Sequence, residues 1–326
     1  MRPRQISLFV LFVSVALFVI LIVSRFTYPD ADIVQYYRDR TLYYRYLVLA
    51  ILLMPVNWWL EYLKFVQMSH LDQVNGRVVL IKSLLSGIFL SAITPVKSGD
   101  YGGRLVFIRK DDWAIALNAV FWGNGCQLLW LMVCGLLGLL YLSTVLSENL
   151  LQAKTSLVVV LIVVMLMLII VWFYLRIALV RKLVFYLPFK EKLRKVYYNF
   201  LKIKNRNDLY KTLIIAGLRY FTYIIQSMLL ISVFNNTIAF SLLLSGVMTV
   251  FFIQAILPVL SFLGLIGRTG IAIFVLNKIG VSEMDSGVSS IMLWVVNIFI
   301  PSVAGLYFLF RKMINKQNEK KELDIS

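Results

Sequence analysis

The feature that most constrains this chain is a break in helix-forming sequence set between two apolar runs. Ala92-Ile93-Thr94-Pro95-Val96-Lys97-Ser98-Gly99-Asp100-Tyr101-Gly102-Gly103-Arg104 carries one proline, three glycines, two cations and one carboxylate in a setting that is otherwise hydrocarbon. A helix does not run undisturbed through Pro95 and the glycines that follow. Broken backbone at membrane depth is tolerated only where it is buried in protein or lines a wet cavity. The stretch is therefore either a surface loop or the working part of the molecule.

The surrounding composition decides that membrane depth is the relevant frame. The chain is 60% hydrophobic and 15% charged, whereas soluble domains carry about 25% charged residues. It reads as an all-α polytopic membrane protein. A net charge of +17 raises the question of nucleic acid. The cations cluster between apolar spans, as cytoplasmic loops facing anionic lipid do, so no nucleic-acid partner is expected. Residues 176–211 hold eleven Lys or Arg against two acids, Glu191 and Asp208, and are expected to be cytoplasmic. Cys126 and Cys134 share one apolar span, which argues against a disulfide framework. His70, the single histidine, excludes a His-rich metal site. The first apolar run lacks a small-residue cleavage site and reads as a retained span.

Apolar runs occur at about 6–23, 42–65, 78–93, 114–142, 156–174, 212–234 and 288–310. If each of the first five crossed, Arg2 and Arg4 would lie opposite the basic loop 176–211, against the charge rule. The conflict disappears if residues 78–113 form a re-entrant hairpin with Pro95 to Gly103 at its tip. The same shape applied to residues 239–280 gives six crossing helices and two oppositely inserted re-entrant hairpins. Both termini are then cytoplasmic, and the tail 311–326 is polar and disordered. Residues 1–310 form a single transmembrane domain.

An internal echo supports this shape. Ala255-Ile256-Leu257-Pro258-Val259-Leu260-Ser261 matches residues 92–98 at five of seven positions, and Arg268 follows Pro258 much as Arg104 follows Pro95. Inverted repeats with interrupted helices at corresponding positions are a signature of many transporters, and opposed hairpins would bring the two prolines together near the midplane.

No phosphate loop, zinc-protease helix or serine nucleophile elbow occurs, and Asp100 has no second embedded carboxylate beside it in sequence for acid–base or two-metal work. No catalytic residue, metal site or cofactor is expected. What remains is a set of cations in apolar surroundings, Lys97, Arg104, Arg219 and Arg268, each unfavourable in lipid by roughly 2.5–3.5 kcal/mol. Arginine is well shaped for a phosphate. Asp100 either neutralises Lys97 or Arg104, so that the pair pins the hairpin, or meets a cationic headgroup. Asn118, Asn124 and Gln127 offer amides in the span at 114–142. Upstream, Glu61 and Lys64 share a helix face. They suit a snorkelling pair at the headgroup level beside Trp58 and Trp59, or else Asn57 and Glu61 face a polar cavity.

Thr94-Pro95, Ser98-Gly99-Asp100, Gly102-Gly103-Arg104, the upstream Asn57-Trp58 with Glu61, and the later Pro258, Gly264 and Gly267-Arg268 together resemble the lysylphosphatidylglycerol synthase transmembrane region, a flippase-like family that includes the membrane half of the multiple peptide resistance factor. The resemblance covers about the whole chain. It implies an inner-membrane protein that moves a phospholipid or lipid-linked intermediate between leaflets. The synthase members carry a soluble transferase-like domain after the membrane region, and no such stretch follows here, so aminoacyl transfer is not expected. On this reading the headgroup enters between the hairpins and is held by Thr94, Lys97, Ser98, Asp100, Gly102, Gly103, Arg104, Asn118, Asn124, Gln127 and Arg268. Two alternatives stand beside it: a membrane transferase acting on a lipid phosphate, and a non-transporting partner that anchors a lipid or glycan enzyme through residues 176–211.

Overall fold

The computed structural model describes residues 42–94, 99–146, 206–256 and 265–325. Among these, every regular element is helical. The helices are α1 (Tyr44–Ser69), α2 (Arg77–Ile93), α3 (Gly99–Leu105), α4 (Trp113–Leu146), α5 (Arg206–Ser232), α6 (Phe240–Ile256), α7 (Leu265–Asn277), α8 (Glu283–Trp294) and α9 (Ile300–Ile325). A π-helical turn, Val295–Phe299, joins α8 to α9 without a break.

Among the described residues, four stretches are long and apolar enough to cross a membrane: Tyr44–Ser69, Lys110–Leu146, Asn207–Ser232 and Glu283–Asn315. They coincide with the runs read at 42–65, 114–142, 212–234 and 288–310. The runs at 6–23 and 156–174 and most of the basic loop lie outside the described residues. Large apolar side chains such as Leu52, Ile214, Ile266 and Phe274 point outward. A patch of that kind is unfavourable in water and ordinary against lipid.

Local chemistry sets the helix ends. After Ser69, His70 adopts a left-handed φ of 53° and its N–H bonds the Val66 carbonyl, which closes α1 and lets the chain turn. At the start of α8, Ser282 accepts a hydrogen bond from the Asp285 N–H at 3.1 Å. Glu283 and Asp285 add negative charge where the helix dipole favours it. The polar tail departs from expectation: its backbone continues as helix to Ile325. Residues 311–325 contain neither proline nor glycine and are rich in lysine, glutamate and leucine-like helix formers, so nothing stops the helix that enters them.

Both sequence breaks return the chain on itself. In the first, a Cβ at Gly99 would meet the Leu90 carbonyl, and one at Gly103 would come within 2.5 Å of the Ser86 carbonyl oxygen. That pairing is antiparallel, and it uses glycine because the backbones nearly touch. In the second, the Gln254 side chain donates to the Arg268 carbonyl at 3.3 Å, and Gly246 faces Leu276 and Ile279, again antiparallel. The first hairpin packs on α9, where Gly305 sits against the Leu85 carbonyl. The second packs between α4 and α8; Gly135 and Gly138 of α4 receive Phe252, Ser245 and Met248. Two apolar clusters result. One gathers Phe65, Leu80, Leu84 and Trp122 around the first hairpin. The other gathers Ile224, Val247, Phe251 and Leu276 around the second.

Candidate functional site

The first hairpin delivers its charges into the protein interior. Arg104 lies one turn after Asp100 on α3 and grips it with two bonds, Nε to Oδ1 at 2.8 Å and Nη2 to Oδ2 at 3.2 Å. Its Nη2 also donates to Glu61 Oε1 of α1 at 2.6 Å. The guanidinium stands 5.1 Å over the Phe65 ring, an arrangement that suits a desolvated cation. With 3% of its side chain exposed, Arg104 is enclosed by two carboxylates and an aromatic face. Ser83 Oγ donates to the Arg104 carbonyl at 2.6 Å, tying α3 to α2.

Glu61 is the centre of the arrangement. Its second oxygen, Oε2, faces Lys64 Nζ at 2.6 Å and Arg219 Nε of α5 at 3.2 Å. Lys64 and Glu61 are both buried, so they are not a snorkelling pair at the headgroup level. Asn57 and Glu61 both lie buried among packed helices. The stem of Lys64 runs along Gly123 of α4, where any side chain would crowd it. Lys64 Nζ donates to Gln127 Oε1 at 3.0 Å, and Arg219 Nη1 donates to the same oxygen. Three helices therefore meet at one carboxylate, and α4 joins them through Gln127. One turn earlier on α1, buried Asn57 donates to Asn297 Oδ1 at 2.5 Å. Asn297 belongs to the π turn and also donates to the Leu293 carbonyl. π turns of this kind recur at functional sites.

The second hairpin arranges its arginine differently. Arg268 is half-buried at the start of α7, and among the described residues it forms no ion pair. It lines a small cleft bounded by α5, α6, α7 and α8. The cleft presents Tyr223, Ser227, Gln254, Ser286, Ser289 and Ser290 among apolar walls that include Trp294. No carboxylate among the described residues lines it. Ser286 is fully buried and its Oγ has no hydrogen-bond partner among the described residues, which leaves a polar atom in the wall of the cleft for an incoming group.

No family model matches this chain, and neither the characterised proteins nor the solved structures compared with it include a match. The site is therefore read from its own geometry.

The residues singled out in sequence fall in different places. Asp100, Arg104 and Gln127 join the Glu61 network. Thr94 and Gly103 shape the hairpin; Thr94 Oγ1 donates to the Leu90 carbonyl and accepts from the Gly99 N–H, both at 2.7 Å. Asn124 hydrogen-bonds the Tyr101 side chain; Asn118 is buried on the same helix, and Gly102 is exposed. Lys97 and Ser98 lie outside the described residues. Arg268 stands apart in the cleft.

Two sets of residues were missing from that selection. Glu61, Lys64 and Arg219 complete the network; Asn57, Glu61 and Lys64 repeat at helical spacing and mark one face of an otherwise apolar helix. Ser286, Ser289 and Ser290 repeat in the same way on α8. That serine stripe was a signal in plain sequence, but it became specific only when α7 placed Arg268 opposite it.

Proposed function

We propose that this protein carries the phosphate-bearing head of a lipid or lipid-linked intermediate between the leaflets of a membrane, with Arg268 as the phosphate contact. One observation carries the reading: a half-buried arginine with no acidic partner among the described residues faces a cleft lined by hydroxyls. A cation in apolar surroundings is costly unless it meets water, a counter-charge or a ligand. Arginine binds phosphate through paired, charge-assisted hydrogen bonds. The serine and tyrosine hydroxyls replace water lost by the head as it enters, which lowers the penalty of moving a polar group through the protein. The acyl or prenyl tails remain in lipid throughout.

The wider arrangement belongs to the same proposal. Six crossings, two oppositely inserted re-entrant hairpins, cytoplasmic termini and an inner-membrane location account for the charge pattern of the sequence. The antiparallel return of both breaks supports the hairpins, and membership of the flippase-like family named above rests on the motif residues. In this arrangement the Glu61 network is the fixed support and the Arg268 cleft is the seat. The transferase alternative is less well supported, since no carboxylate among the described residues lines the cleft to act as an acid or base.

The test is reconstitution in liposomes with fluorescent lipids of several headgroup classes. Headgroup movement is expected from the unaltered protein, lost in Arg268→Ala and partly regained in Arg268→Lys. Movement that persists at full rate in Arg268→Ala, with both proteins equally folded, would sink the assignment of Arg268.

A further inference from the structure

Among the described residues, the Glu61 network is short of one negative charge. It gathers three cations, Lys64, Arg104 and Arg219, around two carboxylates, Glu61 and Asp100. The remaining polar member, Gln127, is neutral. Its Oε1 already accepts from both Lys64 and Arg219, so that oxygen is saturated by two cationic donors. An uncompensated charge among packed helices is strongly unfavourable unless something of opposite sign reaches it.

Access is confined to one corner. The side chains of Lys64 and Arg104 are 2% and 3% exposed, whereas that of Arg219 is 20% exposed. Arg219 uses Nε toward Glu61 and Nη1 toward Gln127, which leaves Nη2 as an unused donor at the open edge. The Nε geometry toward Glu61 is an ion pair rather than a formed hydrogen bond, so the guanidinium is incompletely satisfied even where it is buried.

We infer that a small anion or a phosphate group binds at the exposed edge of Arg219, beside Gln127, and supplies the charge that the network lacks. Neither Arg219 nor Gln127 lines the Arg268 cleft, and the inference stands whether or not the chain moves lipid. A chloride or phosphate from solution and the phosphate of a bound lipid share the chemistry required. Either would accept from Arg219 and screen its repulsion with Lys64 and Arg104.

The network also specifies a variant that tests the idea from inside. Gln127→Glu is nearly isosteric and places a carboxylate where two cationic donors already converge. If the network lacks one negative charge, Gln127→Glu, made in an Arg268→Ala background so that the cleft does not contribute, raises the thermal midpoint of the purified full chain in detergent and removes its dependence on anions. Arg219→Gln, which balances the remaining charges, also removes that dependence. The measurement is the unfolding midpoint at constant ionic strength as chloride or inorganic phosphate replaces gluconate. The unaltered protein and Arg268→Ala are expected to gain a few degrees.

A second arm uses nanodiscs in gluconate, comparing phosphatidylglycerol with a glycolipid that carries no phosphate. Stabilisation by phosphatidylglycerol assigns the charge to lipid, and stabilisation only by dissolved ions assigns it to solution. The inference is overturned if neither stabilises, if Gln127→Glu lowers the midpoint or keeps the anion response, or if Arg268→Ala abolishes that response. The last result would place the effect in the cleft. Loss of lipid movement in the liposome assay leaves these outcomes unchanged, so the two proposals fail separately.

Discussion

The two hairpins begin from nearly the same sequence and put their arginines to different use. In the first, Arg104 is clamped by Asp100 from its own helix and by Glu61 from α1, with distances of 2.6–2.8 Å at the closest atoms. In the second, Arg268 meets serines and a tyrosine across an open cleft and no acid among the described residues. The flanking packing differs in the same sense. Gly103 brings α3 onto α2 so closely that no side chain fits, whereas Gly270 of α7 has open space where a Cβ would stand. A break followed by an arginine is thus a neutral device. What the arginine does depends on whether an acid from a distant helix reaches it first. Where one does, the hairpin is pinned. Where none does, the charge remains available to a ligand.

That contrast can be broken at its strongest point. Glu61→Gln leaves three cations around a single carboxylate. The expected loss is about 3–5 kcal/mol, the range for removing one partner of a buried ion pair. Thermal unfolding in detergent reads it; a variant as stable as the parent would mean that the network does not support the fold. Glycine pairs test the close packing next. Gly103→Ala forces a methyl against the Ser86 carbonyl and is expected to destabilise by about 1–3 kcal/mol, as overpacking does. Gly102→Ala, one position away, meets nothing within 4 Å and is expected to leave the midpoint unchanged.

A smaller effect is expected where the π turn meets α1. Asn57→Ala removes the bond to Asn297 and should lower stability by about 1 kcal/mol, the usual net value of such a bond. The same thermal measurement checks it, and Asn297→Ala should cost less in the Asn57→Ala background than in the parent if the two amides act as a pair. Little is expected from Arg268→Ala, within about 0.5 kcal/mol, because no ion pair among the described residues is lost. That variant sharpens the contrast from the other side, since the same substitution is expected to abolish headgroup movement in liposomes. A large loss of stability at Arg268 would erase the distinction between the two arginines.

Much of the architecture was legible before the helices were placed. The spans at 42–65, 114–142, 212–234 and 288–310 follow from apolar runs long enough for a bilayer, and both breaks follow from proline and glycine. The ends were less accurate. The last span starts at Glu283 because Ser282 caps it, and the tail stays helical because no residue in it interrupts the ladder. The chemistry of the site was legible only in part. Asp100 and Arg104 lie four apart and could be paired from spacing alone. Glu61 lies 43 positions from Arg104 and Arg219 lies 92 from Gln127, and no local pattern connects residues at such separations.

The sequence by itself determined that this is a helical membrane protein, that two breaks interrupt it half a chain apart, and that each break is followed by an arginine too costly to leave in lipid. Those properties depend on local composition, on backbone geometry at proline and glycine, and on the energetics of charge in hydrocarbon. Only the tertiary structure decided which arginine is satisfied. Compensation of a buried charge is a matter of ångström-scale distance to an opposite charge, and that distance was set by the contact of α1 with the first hairpin and of the serine face of α8 with the second.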